Sequence, residues 1–204
     1  MAPGPSADTA DAALLVAHGP TLLGVAARSI RHGLDHGKPL LPALDRLAPD
    51  LAAVRASFVT LEIDHELRGC IGSVAPHRPL AHDVAENAFA AAFRDPRFAA
   101  LAPDEWPRTT VALSLLGPLQ PIAARRRDEV VRAIRPHVDG LVLHCGRQRG
   151  LFLPQVWDTV PEPESFVGAL LRKAGFAPDE WPDGMAAEVF QVAHTGPVRL
   201  AEAA

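Results

Sequence analysis

Ser57-Phe58-Val59-Thr60-Leu61-Glu62-Ile63, then Asp64-His65-Glu66, then Leu67-Arg68-Gly69-Cys70-Ile71-Gly72-Ser73: two β-rich runs are separated by three polar residues. This pattern spells a β-hairpin. Side chains alternate along a strand, so Leu67 and Ile71 share one face while Arg68 and Cys70 share the other. A three-residue loop sets Val59 and Leu61 beside Leu67 and Ile71. A two-residue loop would set them beside Arg68 and Cys70. The odd loop is expected, because it gathers the apolar residues on one side.

The second strand carries unusual chemistry. Glycine weakens a strand and marks close approach by a ligand or another backbone, and here Gly69 and Gly72 bracket one cysteine. Little side-chain cover is left for the Cys70 thiol, and a neighbouring guanidinium, that of Arg68, favours the thiolate. Cys70 is therefore a candidate nucleophile or thiol carrier, with Arg68 as its activator. The same residues fit a cysteine that merely packs and glycines that mark a bulge. No histidine is adjacent in sequence, so His65, His77 and His82 are candidates for a general base by proximity only.

Working outward, residues 12–18 read as a short helix ending at Gly19, and Pro20 opens a second helix with Leu22, Leu23, Ala26, Ala27, Ile30 and Leu34 at helical spacing. Residues 79–94 form an Ala-rich helix that Asp95-Pro96 stops. Residues 109–116 alternate as a strand, 127–137 read as helix, and 140–145 and 150–153 as strands joined by Gly146-Arg147-Gln148-Arg149. Residues 163–174 are the clearest helix, with Gly175 as its C-terminal cap, and 187–194 form a last strand. Helices and strands mix without a βαβ rhythm, which predicts an α+β fold with a largely antiparallel sheet.

The chain has 204 residues, 48% hydrophobic and 22% charged, enough for one domain or two small lobes with a real core. Its net charge of −4 argues against a general nucleic-acid or anionic-membrane coat. Tyrosine is absent, which excludes Tyr-based chemistry. Two cysteines, Cys70 and Cys145, make no disulfide framework. The N-terminus lacks the positive region of a signal peptide. The apolar stretch 14–27 is interrupted by His18, Gly19 and Pro20, too short for a membrane span. A cytoplasmic protein is expected.

Other constellations are weaker. Asp95 and Arg97 either line a pocket for a carboxylate or phosphate or lock the turn to each other. Asn87, if buried, needs hydrogen bonds; if not, it joins Asp83 and Glu86 on a polar stripe. Gln155 follows Leu153-Pro154 at a strand-to-helix junction, where it points into a cleft or caps the loop. Trp157 and Trp181 read as packing anchors. His32 and His36 have metal-ligand spacing but no third ligand, and His144 and Cys145 point to opposite faces. No metal site and no cofactor is expected. Arg125-Arg126-Arg127, with Arg147 and Arg149, is the one basic cluster, readable as a patch for RNA or nucleotide but without interleaved aromatics.

Ser57–Ser73, with its Leu-Arg-Gly-Cys-Ile-Gly core, resembles the signature of the AMMECR-type domain family, the AMME-syndrome chromosomal region proteins, called protein A of the AmmeMemoRadiSam system in bacteria and archaea. The resemblance continues through Asn87-Ala-Phe-Ala-Ala-Ala-Phe-Arg-Asp-Pro-Arg-Phe98, Gly140-Leu-Val-Leu, Gly150-Leu-Phe-Leu-Pro-Gln-Val-Trp157, residues 166–175 and Trp181. It implies an α+β fold of two unequal lobes with mixed, largely antiparallel sheets flanked by helices. The expected organisation is a flexible tail over 1–11, a single two-lobed domain over 12–198, and a C-terminal tail over 199–204. The resemblance also implies partners: a Memo-type dioxygenase-like protein and a radical S-adenosylmethionine protein. Its site is expected around the motif, with Cys70 and Arg68 as chemical residues and Gly69, Gly72, Asn87, Asp95, Arg97 and Gln155 binding a ligand. Relatives commonly carry glycine where this chain has His65, which predicts a positive φ there.

Overall fold

Apolar residues at Leu14, Leu15, Leu22, Leu23, Ala26, Ala27 and Ile30 keep one helical period, and all seven are buried. In the computed structural model, which describes residues 7–204, they form the inner face of a single helix, α1 (Ala7–His36). The expected break at Gly19-Pro20 does not occur. Pro20 lies on the exposed side, and the carbonyl it deprives of a partner belongs to Val16, which is 84% exposed, so the gap in the ladder falls on the solvent side of the helix. The continuous helix is long and apolar enough to cross a membrane over Ala10–His36, by length and composition alone. Its apolar face is instead packed into a core, with 56% of that window buried.

That core belongs to the larger of two units, Met1–Leu116 with Ala193–Ala204. Here α1 packs with α2 (Leu80–Phe93) and on a sheet of β1 (Ala56–Ile63), β2 (Glu66–Gly72), β3 (Thr109–Leu116), β8 (Val192–His194) and β9 (Val198–Arg199), ordered β2-β1-β3-β8 with β9 also on β3. The β1–β2, β1–β3 and β3–β9 pairs are antiparallel.

The hairpin loop has two residues, not three. Asp64 and His65 both take positive φ, +53° and +68°, the left-handed pair that a tight two-residue hairpin requires. Aspartate and histidine are among the non-glycine residues that accept this conformation most readily. A β-bulge then leaves Arg68 unpaired between Glu62↔Leu67 and Leu61↔Gly69. Beyond it, Thr60 faces Cys70 and Val59 faces Ile71. Two-residue turn plus bulge thus give the register of a three-residue loop. Ile71 packs on the core as expected, while Leu67, before the bulge, stays 44% exposed.

The smaller unit, Gly117–Val192, has its own core. Its sheet is β4 (Gln120–Ile122), β7 (Ala186–Phe190), β5 (Gly140–Cys145) and β6 (Gln148–Phe152) in that order, antiparallel throughout. Against it lie α3 (Arg127–Ala133) and α4 (Pro163–Ala174). Trp157 anchors this core, stacked at 3.7 Å on Phe166, with its Nε1 donating to the Asp139 carbonyl at 2.8 Å. Gly175 caps α4 at φ +93°.

Several expected boundaries move. The β5–β6 turn is Gly146-Arg147 alone, because Gln148 and Arg149 pair with Cys145 and His144. Helix α3 stops at Ala133, ahead of Arg135, which precedes Pro136 and so avoids the helical region. The strand expected over 187–194 divides at Gln191 into β7 of the second sheet and β8 of the first. Of the expected N-terminal tail, residues 1–6 lie outside the described residues, while 7–11 open α1 with Asp11 buried and paired to Arg55. The expected C-terminal tail is no tail: Arg199 belongs to β9, and α5 (Leu200–Ala203) buries Leu200 completely.

Candidate functional site

Strand β2 lies at the edge of its sheet, so one side of its backbone lacks a neighbouring strand. The Asp95-Pro96-Arg97-Phe98 loop, just past α2, supplies the missing partners. The Cys70 N–H donates to Asp95 Oδ2 at 2.9 Å, and Arg97 Nη2 donates to the Cys70 carbonyl at 3.4 Å. Arg97 in turn clamps Asp95 through Nε at 3.0 Å, Nη2 at 2.7 Å and its own N–H at 3.1 Å. Asp95 is buried, whereas the Arg97 side chain is 53% exposed. These bonds, led by that from the Arg97 side chain, hold the Asp95 carboxyl far below the usual carboxylate range. Arg97 is raised reciprocally by Asp95, with a smaller push in the same direction from Cys70. Asp95 and Arg97 therefore do lock to each other, and together they cap the edge strand at Cys70.

Arg68 is committed elsewhere. Its guanidinium forms a two-pronged pair with Glu105, Nε to Oε1 at 2.8 Å and Nη2 to Oε2 at 2.9 Å, and Glu105 also accepts the Ala102 N–H at 2.8 Å. The pairing raises Arg68 and lowers Glu105 from their ordinary values, through the shared hydrogen bonds first. Phe98 lies between the two arginines, 6.0 Å from the Arg68 guanidinium and 5.3 Å from that of Arg97. The guanidinium that touches Cys70 is thus Arg97, not Arg68. Cys70 itself is half-buried, and its Sγ accepts a hydrogen bond from Thr60 Oγ1 at 3.5 Å.

The glycines have packing reasons. A Cβ on Gly69 would meet the Ala91 carbonyl oxygen of α2 at 2.2 Å, so helix backbone occupies the space where a ligand was expected. A Cβ on Gly72 would fall 2.2 Å from the ring of Phe58, which covers that face of the hairpin.

Asn87 serves a second network in the same unit. It is buried, and its Nδ2 donates to the Ser57 carbonyl at 3.0 Å and to Asp83 Oδ2 at 2.9 Å. Asp83 is fully buried rather than on a polar stripe. It also accepts from the Ser57 N–H at 2.8 Å, Ser57 Oγ at 2.7 Å, Ser73 Oγ at 2.6 Å and Arg78 Nε at 2.8 Å. This carboxylate staples both ends of the hairpin to α2. Gln155 is exposed on a 3-10 turn of the smaller unit and belongs to neither network. His32 and His36 stack with centroids 4.1 Å apart.

Sequence reasoning missed Glu105 and Asp83. Glu105 stands 37 positions from Arg68 in a loop with no periodicity to flag it. Asp83 was legible as polar, but its burial follows only from the two serines that converge on it from β1 and the end of β2.

Fold and site define an α+β protein of two units, the larger presenting an Arg-Gly-Cys edge strand clamped by an Asp-Pro-Arg-Phe loop. The chain belongs to the AMMECR1 family, whose model matches residues 23–195. It is 39% identical over 170 residues to a protein of Methanothermobacter thermautotrophicus, covering 79% of this chain and 84% of the other. It is 35% identical over 203 residues to protein MK0488 of Methanopyrus kandleri, covering 91% and 94%. Among solved structures it is similar to the uncharacterized protein PH0010 from Pyrococcus horikoshii, with TM-score 0.79, 32% identity, and 86% and 89% of the two chains covered.

Proposed function

We propose that the protein is a binding component, protein A of an AmmeMemoRadiSam system, that docks a Memo-type protein and a radical S-adenosylmethionine protein in the cytoplasm through the Cys70 edge. The observation that carries this reading is the double clamp. Arg68 and Arg97 are each neutralised by a carboxylate, and the Cys70 backbone is fastened by Asp95 and Arg97. Such an arrangement makes a rigid, charge-balanced edge, with the half-exposed Arg97 and Phe98 beside it, and rigid preformed surfaces bind at low entropic cost. Ligand contact in this reading falls to Arg97 and Cys70, with Asp95 and Asn87 holding the edge and the hairpin in place and Gly69 and Gly72 letting α2 and Phe58 pack closely. Purified protein mixed with both partners at micromolar concentration should elute as a complex on a sizing column. Three separate peaks would refute the reading.

A second reading keeps Cys70 as nucleophile or thiol carrier, favoured by the Thr60 hydroxyl bonded to its sulfur and by Arg97 at its carbonyl. It requires Cys70 to react with iodoacetamide at neutral pH faster than a free cysteine does. Slower reaction removes it. RNA or nucleotide binding through Arg125, Arg126 and Arg127 as a cluster is disfavoured, because Asp128 and Glu129 pair with Arg126 and Arg127 is turned to the Glu164 carbonyl, which leaves Arg125 as the one guanidinium of the run without a bond among the described residues.

A further inference from the structure

The smaller unit holds a cleft of about 360 Å³ beside β4 and β7, lined in part by Ile122, Ala124, Arg125, His144, Met185 and Glu188. That volume lies at the lower end of the ~300–1,000 Å³ typical of small-molecule sites. The walls are mostly apolar, and three polar groups converge on them. Strand register explains two of these. Val142 faces Glu188 and His144 faces Ala186 across β5 and β7, so His144 and Glu188 emerge diagonally on the same face of the sheet. His144 Nε2 stands 3.6 Å from Glu188 Oε2, close enough to feel its charge but beyond hydrogen-bond length. Glu188 is only 26% exposed, yet among the described residues it accepts no hydrogen bond. Its oxygens reach solvent, so they are open to a donor that enters the cleft.

The third group is Arg125. Of the three consecutive arginines, Arg126 pairs with Asp128 and Glu129, and Arg127 donates to the Glu164 carbonyl at 2.6 Å. Arg125 gives its backbone N–H to Glu129 at 2.7 Å, but its guanidinium makes no bond among the described residues. The one unspent guanidinium of the run is the one that lines the cleft. Arginine recognises planar anions by two parallel N–H bonds.

We infer that this cleft is a small-molecule site for an amino acid or amino-acid-like compound. Its carboxylate is held by Arg125, its ammonium is held by Glu188 beside His144, and its apolar body lies against Pro121 and Ala186, which share the Glu188 face by register. The site is independent of the Cys70 edge and of the docking function argued for it.

The test is a two-dimensional amide NMR titration of the full chain with three zwitterionic probes of increasing charge separation: L-leucine, 4-aminobutyrate and 6-aminohexanoate. Butyrate and butylamine serve as single-charge controls. At least one zwitterion should shift the amides of 122–125, 144 and 185–188 saturably below about 10 mM, and bind at least about tenfold tighter than either control. Arg125→Gln and Glu188→Gln should each weaken that probe about tenfold while resonances elsewhere stay put, showing that the fold is intact. The inference is overturned if no zwitterion saturates below about 50 mM, if the controls bind equally well, or if both variants bind as the parent does.

Discussion

Gly69 shows how little room the motif leaves for chance. The nearest atom to a Cβ there is the backbone carbonyl of Ala91, which no side-chain rotation can move aside. Gly69→Ala should therefore cost about 1–3 kcal/mol or more, read from urea denaturation. Asp95 and Glu105 carry the pH dependence of the same region. Both carboxyls sit below their ordinary values in the folded chain, Asp95 chiefly through Arg97 and Glu105 chiefly through Arg68. Their stabilisation is complete above the unfolded carboxylate range near ~4 and is lost as pH falls through the depressed folded values. Asp95→Asn should be less stable than the parent at neutral pH, and the gap should narrow steadily as urea melts are taken below pH ~4. A gap that stays constant down to pH ~2 would mean that Asp95 acts by shape alone.

Among the elements, α1 carries a proline that its own hydrogen-bond ladder does not want. Pro20 is tolerated because it faces solvent while the inward stripe on either side stays in register. Replacing it with alanine should raise stability, by up to about 3 kcal/mol, seen as a higher Tm. Sequence-level rules weigh proline locally and so place a helix boundary there. The packing that overrides it comes from α2 and the sheet and is invisible to them. The hairpin teaches the same lesson in reverse. Alternation of Val59, Leu61 and Ile71 gave the right register for the strand body, yet the bulge at Arg68 that reconciles it with a two-residue turn has no signature in residue type. Helix α4 and strand β3 were legible to the residue, because each has a clean period and its own punctuation. At the site, the Asp95–Arg97 lock was legible from spacing, whereas the Arg68–Glu105 pair, joined across a loop, was not. The expectation that Arg68 serves Cys70 failed for that reason.

On the scale of the whole molecule, two units each close around a core of their own, and the chain returns to the first after completing the second. The last residues matter to that return. Leu200 is fully buried in the larger unit, so a chain ending at residue 199 should lose about 1.5–3 kcal/mol, checked by thermal melting. Family membership brings the fold and the motif together, and the clamp built on that motif supports a docking edge more than a reactive centre. The central claim is that the Cys70 edge, with its Asp95–Arg97 clamp, is a binding surface. It is tested most directly by hydrogen–deuterium exchange on the intact chain with and without the Memo-type and radical S-adenosylmethionine proteins. Protection that rises over 68–73 and 95–98 when the partners are added is the predicted result. Unchanged exchange in those two segments at saturating partner concentration would contradict it.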